Sequence, residues 1–185
     1  MTDEKHLNKV RKLNPDFEIR LHELDVNVGG GREHMYYICV THKEANIRVY
    51  TDRDFNEQEV INRLPSKFTL EKEYNMLPKG VQVRICDYSN NSGIYIFSEA
   101  DYYLMNHTVN VTISYPLKNP YTFTAKCDTT SSLINQIVLA YKKIYEEEKE
   151  NPGKYGIWGH YIENLWLEKI TLDVETGNIK LSVGS

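Results

Sequence analysis

Apolar and polar residues alternate with a period of two over much of this chain, the signature of strands with one buried face. Phe17, Ile19 and Leu21 alternate with Glu18, Arg20 and His22, after which Leu24, Val26 and Val28 carry the apolar set. A one-residue change of phase in such a pattern predicts a β-bulge inside a strand spanning 17–28. Gly29-Gly30-Gly31-Arg32 follows as a turn, and strands at 35–41 and 46–50 complete an antiparallel meander. Further alternation predicts strands at 81–85, 107–115 and 121–125, with 94–97 as a hairpin partner of the first. Two more, 165–174 and 178–183, are joined by Glu175-Thr176-Gly177-Asn178, a strong hairpin signal. The first of that pair changes phase between Leu165, Leu167 and Ile170, Leu172, Val174, which predicts a second bulge near Glu168-Lys169.

Helical periodicity is strongest at 130–148. Leu133, Ile134, Ile137, Val138, Tyr141, Ile144 and Tyr145 recur at spacings of three and four, a wide stripe suited to lying on a sheet. Asp128, Thr129 and Thr130 are all suitable N-caps. Glu146, Glu147, Glu148 and Glu150 stand at the C-terminal end, where the helix dipole disfavours anions, so a frayed and solvated last turn is expected. A shorter helix is expected at 54–64, with Asp54 as N-cap and Glu57 closing a capping box. Leu70, Tyr74 and Leu77 favour another at 68–77, and Leu7, Val10 and Leu13 place an exposed, partly frayed helix at the N-terminus, within 1–14.

The count is about nine strands, one long helix and one or two short ones. That pattern predicts an α+β fold: one domain over 1–185, with a bent, mostly antiparallel sheet or two packed sheets. The βαβ rhythm of a doubly wound parallel sheet is missing. With 41% hydrophobic and 26% charged residues, the chain has the composition of a folded globular protein. A net charge of −4 and the lack of a basic stripe argue against a protein that grips phosphate backbones. Tyr36-Tyr37 and Tyr102-Tyr103, read as strand pairs with one ring outward, lack the basic neighbours that a base-stacking platform wants. No stretch has the roughly 20 apolar residues of a membrane span, and no apolar run follows Met1–His6 as in a signal peptide. Cys39, Cys86 and Cys127 are odd in number and far apart, which suits free thiols in a reducing compartment. The expected location is therefore cytoplasmic, and the sequons starting at Asn90, Asn106 and Asn110 are chance matches in an Asn-rich chain.

Candidate chemistry is sparse, and each candidate has a plain structural alternative. The glycine run lacks the lysine and following helix of a phosphate loop, so it reads as a hairpin turn. Of six histidines, His22, His34 and His42 fall in one meander and form the only metal constellation worth weighing, although no ligand-type spacing is present. No cofactor is expected. Cys127 stands just before a helix N-terminus, whose partial positive charge lowers a thiol pKa. With His160 downstream and Asp173 or Asn178 to orient the imidazole, it suggests a small cysteine-dependent hydrolase, against the alternative of a half-buried thiol.

The most unusual stretch is 155–161, Tyr-Gly-Ile-Trp-Gly-His-Tyr, with Trp166 just beyond. Trp158, His160, Tyr161 and Trp166 make a candidate binding surface, because Trp and Tyr are enriched among interface anchors. The structural alternative is a rigid corner, with Trp158 plugging a sheet edge and His160 bonded to a backbone carbonyl. Taken together, these features favour a non-enzymatic binding or interaction protein of accessory or inhibitor type. Its partner is expected to be another protein; a small ligand is admissible, and neither nucleic acid nor membrane is indicated.

Overall fold

The structure is a computed structural model that describes residues 3–89 and 95–185. Among these residues the fold is α+β, with nine strands in a three-stranded antiparallel sheet and a six-stranded mixed sheet, and four α-helices. The chain divides into two compact units, Met1–Leu70 and Glu71–Ser185, and no shift in composition marks the division.

In the first unit, α1 (Asp3–Leu13) leads into the meander β1 (Phe17–Val28), β2 (Gly31–His42) and β3 (Ile47–Asp54), and α2 (Glu57–Asn62) follows. Leu7 and Val10 of α1 and Val60 and Ile61 of α2 are buried together with Ile19, Ile38 and Val40 of the sheet. Asn14, also buried, ties the end of α1 down: its side-chain amide donates to the Val10 and Ser66 carbonyls and its oxygen accepts from the Phe68 N–H. Gly29 and Gly30 both adopt positive φ (57° and 92°), the two-residue turn whose twist suits a hairpin and that glycine alone adopts freely.

The bulge expected within β1 is not there. Twelve successive pairs, from Phe17↔His42 to Val28↔Gly31, run without a break. The side chains of β1 and β2 therefore keep strict alternation, and Leu24, Val26 and Val28 face away from the core that Ile19 enters. Glu23, Leu24 and Asp25 are all exposed, so no core sets the phase there and a bulge would break the ladder without burying anything. The only irregularity of this sheet lies in β3, where Val49 is the extra residue opposite Val40/Thr41. Helix α2 begins later than expected: Asn56 is the N-cap, accepting from the Gln58 and Glu59 N–H groups, while Asp54 accepts from Asn56 N–H and pairs with Arg63 at 2.8 Å.

The second unit starts with two short strands, β4 (Glu73–Asn75) and β5 (Val83–Arg84). The helix expected at 68–77 is absent. The segment instead pairs with β8 (Trp166–Asp173), Tyr74 opposite Leu172 and Met76 N–H donating to the Ile170 carbonyl, so a strand partner distant in sequence overrides the helical spacing. Of the strand expected at 94–97, Ile94 lies outside the described residues and 95–97 form no strand; Ile96 bonds the Ser131 hydroxyl through its N–H and its carbonyl. Residues Asp101–Asn106 form α3, which puts Tyr102 and Tyr103 on a helix rather than a strand, Tyr102 exposed and Tyr103 buried. Strands β6 (Val109–Ile113) and β7 (Tyr121–Ala125) are joined across a cis Tyr115-Pro116 bond. Helix α4 (Thr130–Glu150) follows, then β8 and β9 (Asn178–Gly184). The order is β4-β8-β9-β6-β7, with β5 also on β8 and only β6 and β9 parallel.

The predicted stripe of α4 is buried from Leu133 to Ile144, and Thr129 is its N-cap, accepting from Ser132 N–H. Asp101 of α3 takes the Thr130 N–H and hydroxyl, a carboxylate at the positive end of the dipole. The predicted bulge of β8 is present: Leu167 pairs with Val183 and Lys169 with Ser182, which leaves Glu168 as the extra residue. It lets Leu165 and Leu167 share the buried face with Ile170 and Leu172.

Candidate functional site

The stretch 151–161 leaves α4 and returns toward β8, and its shape follows from the glutamates at the helix end. Glu148 accepts from the N–H groups of Gly153 (2.8 Å) and Tyr155 (2.7 Å). These bonds, the one from Tyr155 foremost, hold its carboxyl below the usual carboxylate range, with the Gly156 and Ile157 N–H groups adding to them. Glu147 accepts from Lys154 Nζ (2.6 Å) and the Tyr155 hydroxyl (2.5 Å) and is lowered by both. The last turn of α4 is accordingly not frayed. Its carboxylates turn away from the helix dipole and gather the following backbone amides, which offsets the unfavourable placement.

The loop then lies along the β6–β7 turn. Lys118 N–H donates to the Gly156 carbonyl, Asn119 N–H to that of Tyr155 and Trp158 N–H to that of Pro116. Gly156 is required here: φ is 65°, and a Cβ would sit 2.8 Å from the Lys118 Cβ. Tyr155 is the buried aromatic of the loop. Trp158, by contrast, does not plug the sheet edge; it is 56% exposed, Tyr161 is 74% exposed and Trp166 39%.

Tyr115 packs against Trp158 and His160. Its ring centroid is 5.7 Å from that of Trp158 and 5.2 Å from that of His160, and Trp158 and His160 are 5.3 Å apart. The imidazole of His160 meets the Tyr115 hydroxyl (Nε2 at 3.0 Å) rather than a backbone carbonyl; it is the His160 carbonyl that is held, by the Tyr145 hydroxyl at 3.0 Å. Burial, with help from Glu163 and Tyr115, pushes the Tyr145 phenol up to about 12, so it stays a donor across the ordinary pH range. Trp166 connects from the next strand: it pairs with Gly184, and the adjoining Ser185 hydroxyl is 2.9 Å from the Tyr115 hydroxyl. The Arg84 guanidinium lies over the Trp166 ring at 5.8 Å and donates to the Glu163 carbonyl. The result is an exposed aromatic surface on a backbone fixed from three sides.

Cys127 and His160 are not brought together. Cys127 precedes the start of α4, whereas His160 is bonded to Tyr145 near its end, about 20 Å further along the axis at 1.5 Å per residue. Cys127 is also buried, and that burial, then Asp128 and Asp101, pushes its thiol up to about 11, opposing the helix dipole. Asp173 serves the β8–β9 turn, accepting from the Glu175 and Thr176 N–H groups, and Asn178 N–H donates to the Thr176 hydroxyl.

The three meander histidines also diverge. His22 stacks on Tyr37 on one face of the hairpin, while His34 and His42, at even positions of β2, occupy the other. His34 pairs with Asp25 (2.8 Å) and Glu23 (3.2 Å), and His42 accepts from the Ala45 N–H and packs on Phe17. Among the described residues no group of three His, Cys, Asp or Glu side chains is placed to hold a metal ion, and no helix is long and apolar enough to cross a membrane.

Sequence reasoning missed Tyr115, the hub of the ring cluster, and Arg84, which carry no local motif. It also missed the work of Glu147 and Glu148, although their wrong-end placement on the helix was the visible signal. Comparison with protein-family models, with curated proteins and with solved structures gives no match for this chain.

Proposed function

We propose that this chain is a cytosolic, non-enzymatic binding protein whose protein partner docks on the surface formed by Trp158, His160, Tyr161 and Trp166. The observation that carries the reading is the exposure of Trp158 and Tyr161 on a loop whose backbone is held by Glu148, Tyr145 and the β6–β7 turn, with Trp166 exposed at the start of β8. Large rings on a pre-ordered frame lose little entropy on binding, and Trp and Tyr are over-represented among residues that dominate interface energetics. The three free cysteines fit a reducing compartment.

The test compares the tagged full chain with Trp158→Ser and Tyr161→Ser variants in affinity capture from the native host, read by mass spectrometry. A protein retained by the native chain and reduced about tenfold or more by either variant is the expected result, since a hot-spot loss of ~1.4 kcal/mol or more has that effect. Equal capture by all three chains, with the variants shown folded by circular dichroism, overturns the reading.

A further inference from the structure

Beside Trp166 the second unit holds a cavity of about 260 Å³, walled by Val81, Val83, Tyr88 and Ile96, with Arg84 and Asp87 at its rim. We propose that this cavity receives one apolar side chain of the protein partner, carried on a segment with Lys or Arg neighbours. The proposal rests on the aromatic surface being the partner's docking site.

Three observations lead to it. The first is size and lining. The volume is below the roughly 300–1,000 Å³ of small-molecule sites, yet ample for a leucine or phenylalanine side chain. Val83, Tyr88 and Ile96 are buried side chains that present apolar atoms to the space. The second is continuity with the aromatic surface. Arg84 lines the cavity, stacks over Trp166 and bonds the Glu163 carbonyl, so cavity and surface share one wall. A pocket flanked by Trp and Arg is the setting in which anchor side chains dock. The third is charge. Arg84 is paired with Asp87 at 3.2 Å, and Lys142 also acts on Asp87. Glu168, whose carboxylate is 3.4 Å from Gln82 on the cavity rim, has no cation partner among the described residues. This carboxylate favours a basic residue next to the anchor, in keeping with the net charge of −4.

The experiment is a titration of the full chain, methyl-labelled for NMR, with three capped peptides: Lys-Leu-Lys, Glu-Leu-Glu and Lys-Ser-Lys. The expected result is saturable shifts of the Val81, Val83 and Ile96 methyls with Lys-Leu-Lys. The affinity falls about tenfold with Glu-Leu-Glu, and Lys-Ser-Lys leaves the cavity methyls unmoved. Gln82→Trp, an exposed rim substitution that blocks the mouth, abolishes the shifts; Val81→Phe serves as a second blocking variant should the first not fold. No shift at millimolar Lys-Leu-Lys, equal shifts with Lys-Ser-Lys or Glu-Leu-Glu, or peptide-free contacts from the Val83 and Ile96 methyls showing the cavity already filled by the chain itself would each overturn the proposal. If capture depends on Trp158 while the cavity stays silent to peptide, this inference alone falls. If the peptide binds the cavity but capture ignores Trp158 and Tyr161, the docking surface falls instead, and with it the link from cavity to partner.

Discussion

The hairpins β1–β2 and β8–β9 carry the same irregularity in sequence, a one-residue change of hydrophobic phase, and resolve it in opposite ways. In β8 the extra residue, Glu168, is looped out, and Leu165, Leu167, Ile170 and Leu172 all reach one buried face. In β1 nothing is looped out, and Leu24, Val26 and Val28 pass to the face opposite Ile19. The difference lies in what covers the strand. The apolar residues of β8 on both sides of the phase change are buried in the core of the second unit, so losing one ladder pair is outweighed by two buried leucines, each worth roughly 1.5–3 kcal/mol. The distal half of β1 has only β2 beside it, because β3 pairs with β2 no further than Tyr36. A phase change therefore marks a bulge only where burial exists on both sides of it.

Deleting Glu168 and Lys169 together gives the largest expected effect. With both gone, Leu167 and Ile170 become direct neighbours on opposite faces, and while Ile170 and Leu172 keep the core, Leu165 and Leu167 turn outward, at ~2–5 kcal/mol each by analogy with leucine truncation, a loss comparable to a typical domain stability of ~5–15 kcal/mol. Urea titration followed by circular dichroism is expected to show no cooperative unfolding of the second unit. A double-deletion variant with native stability would mean that the shared face of these four residues is incidental. Next comes Leu172→Ala in the same strand, where the side chain is fully buried. A destabilisation of about 2–5 kcal/mol is expected from the same titration.

A smaller effect is expected at the loop that feeds β8. Glu147 and Glu148 have lowered pKa values in the fold. A depressed carboxylate contributes stability that is present above its unfolded pKa of about 4.3 and lost as pH falls through the lower folded value. Acidification through and below that range is expected to loosen 153–158 and shift Trp158 fluorescence, while Glu148→Gln brings the change to neutral pH. A Trp158 signal that is flat down to acid unfolding, in both proteins, would show that the loop does not depend on the carboxylate.

The smallest expected effect is in the other hairpin. Leu24 is 48% exposed and Val28 44%, so Leu24→Thr is expected to change stability by no more than about 0.5 kcal/mol. A cost approaching that of Leu172→Ala would show that this face of β1 is covered in solution, and the contrast between the two hairpins would dissolve.

Legibility in the sequence followed the strength of burial. The α4 stripe, its Thr129 cap and the β8–β9 hairpin with its bulge were all readable, because many apolar residues repeat at one period against one core. Segments whose partner lies elsewhere in the chain misled. Leu70, Tyr74 and Leu77 have helical spacing, yet β8 offered Tyr74 a strand partner. Asp54 has the right type for an N-cap, yet Arg63 and Asn56 N–H claim it. Of the candidate site, the residues at 158–166 were visible as an aromatic cluster, but their exposure was not.

Residue order alone settled the α+β class, the long helix and most strands, since those depend on periodicity and local caps within a few residues of each other. Tertiary structure decided the rest. It set which phase change became a bulge, it parted Cys127 from His160 by most of a helix, and it turned Glu148, against the helix dipole, to hold the loop that leaves Trp158 in solvent. Each of these turns on groups distant in sequence competing for the same burial or the same hydrogen bond, and local pattern carries no record of the competitor.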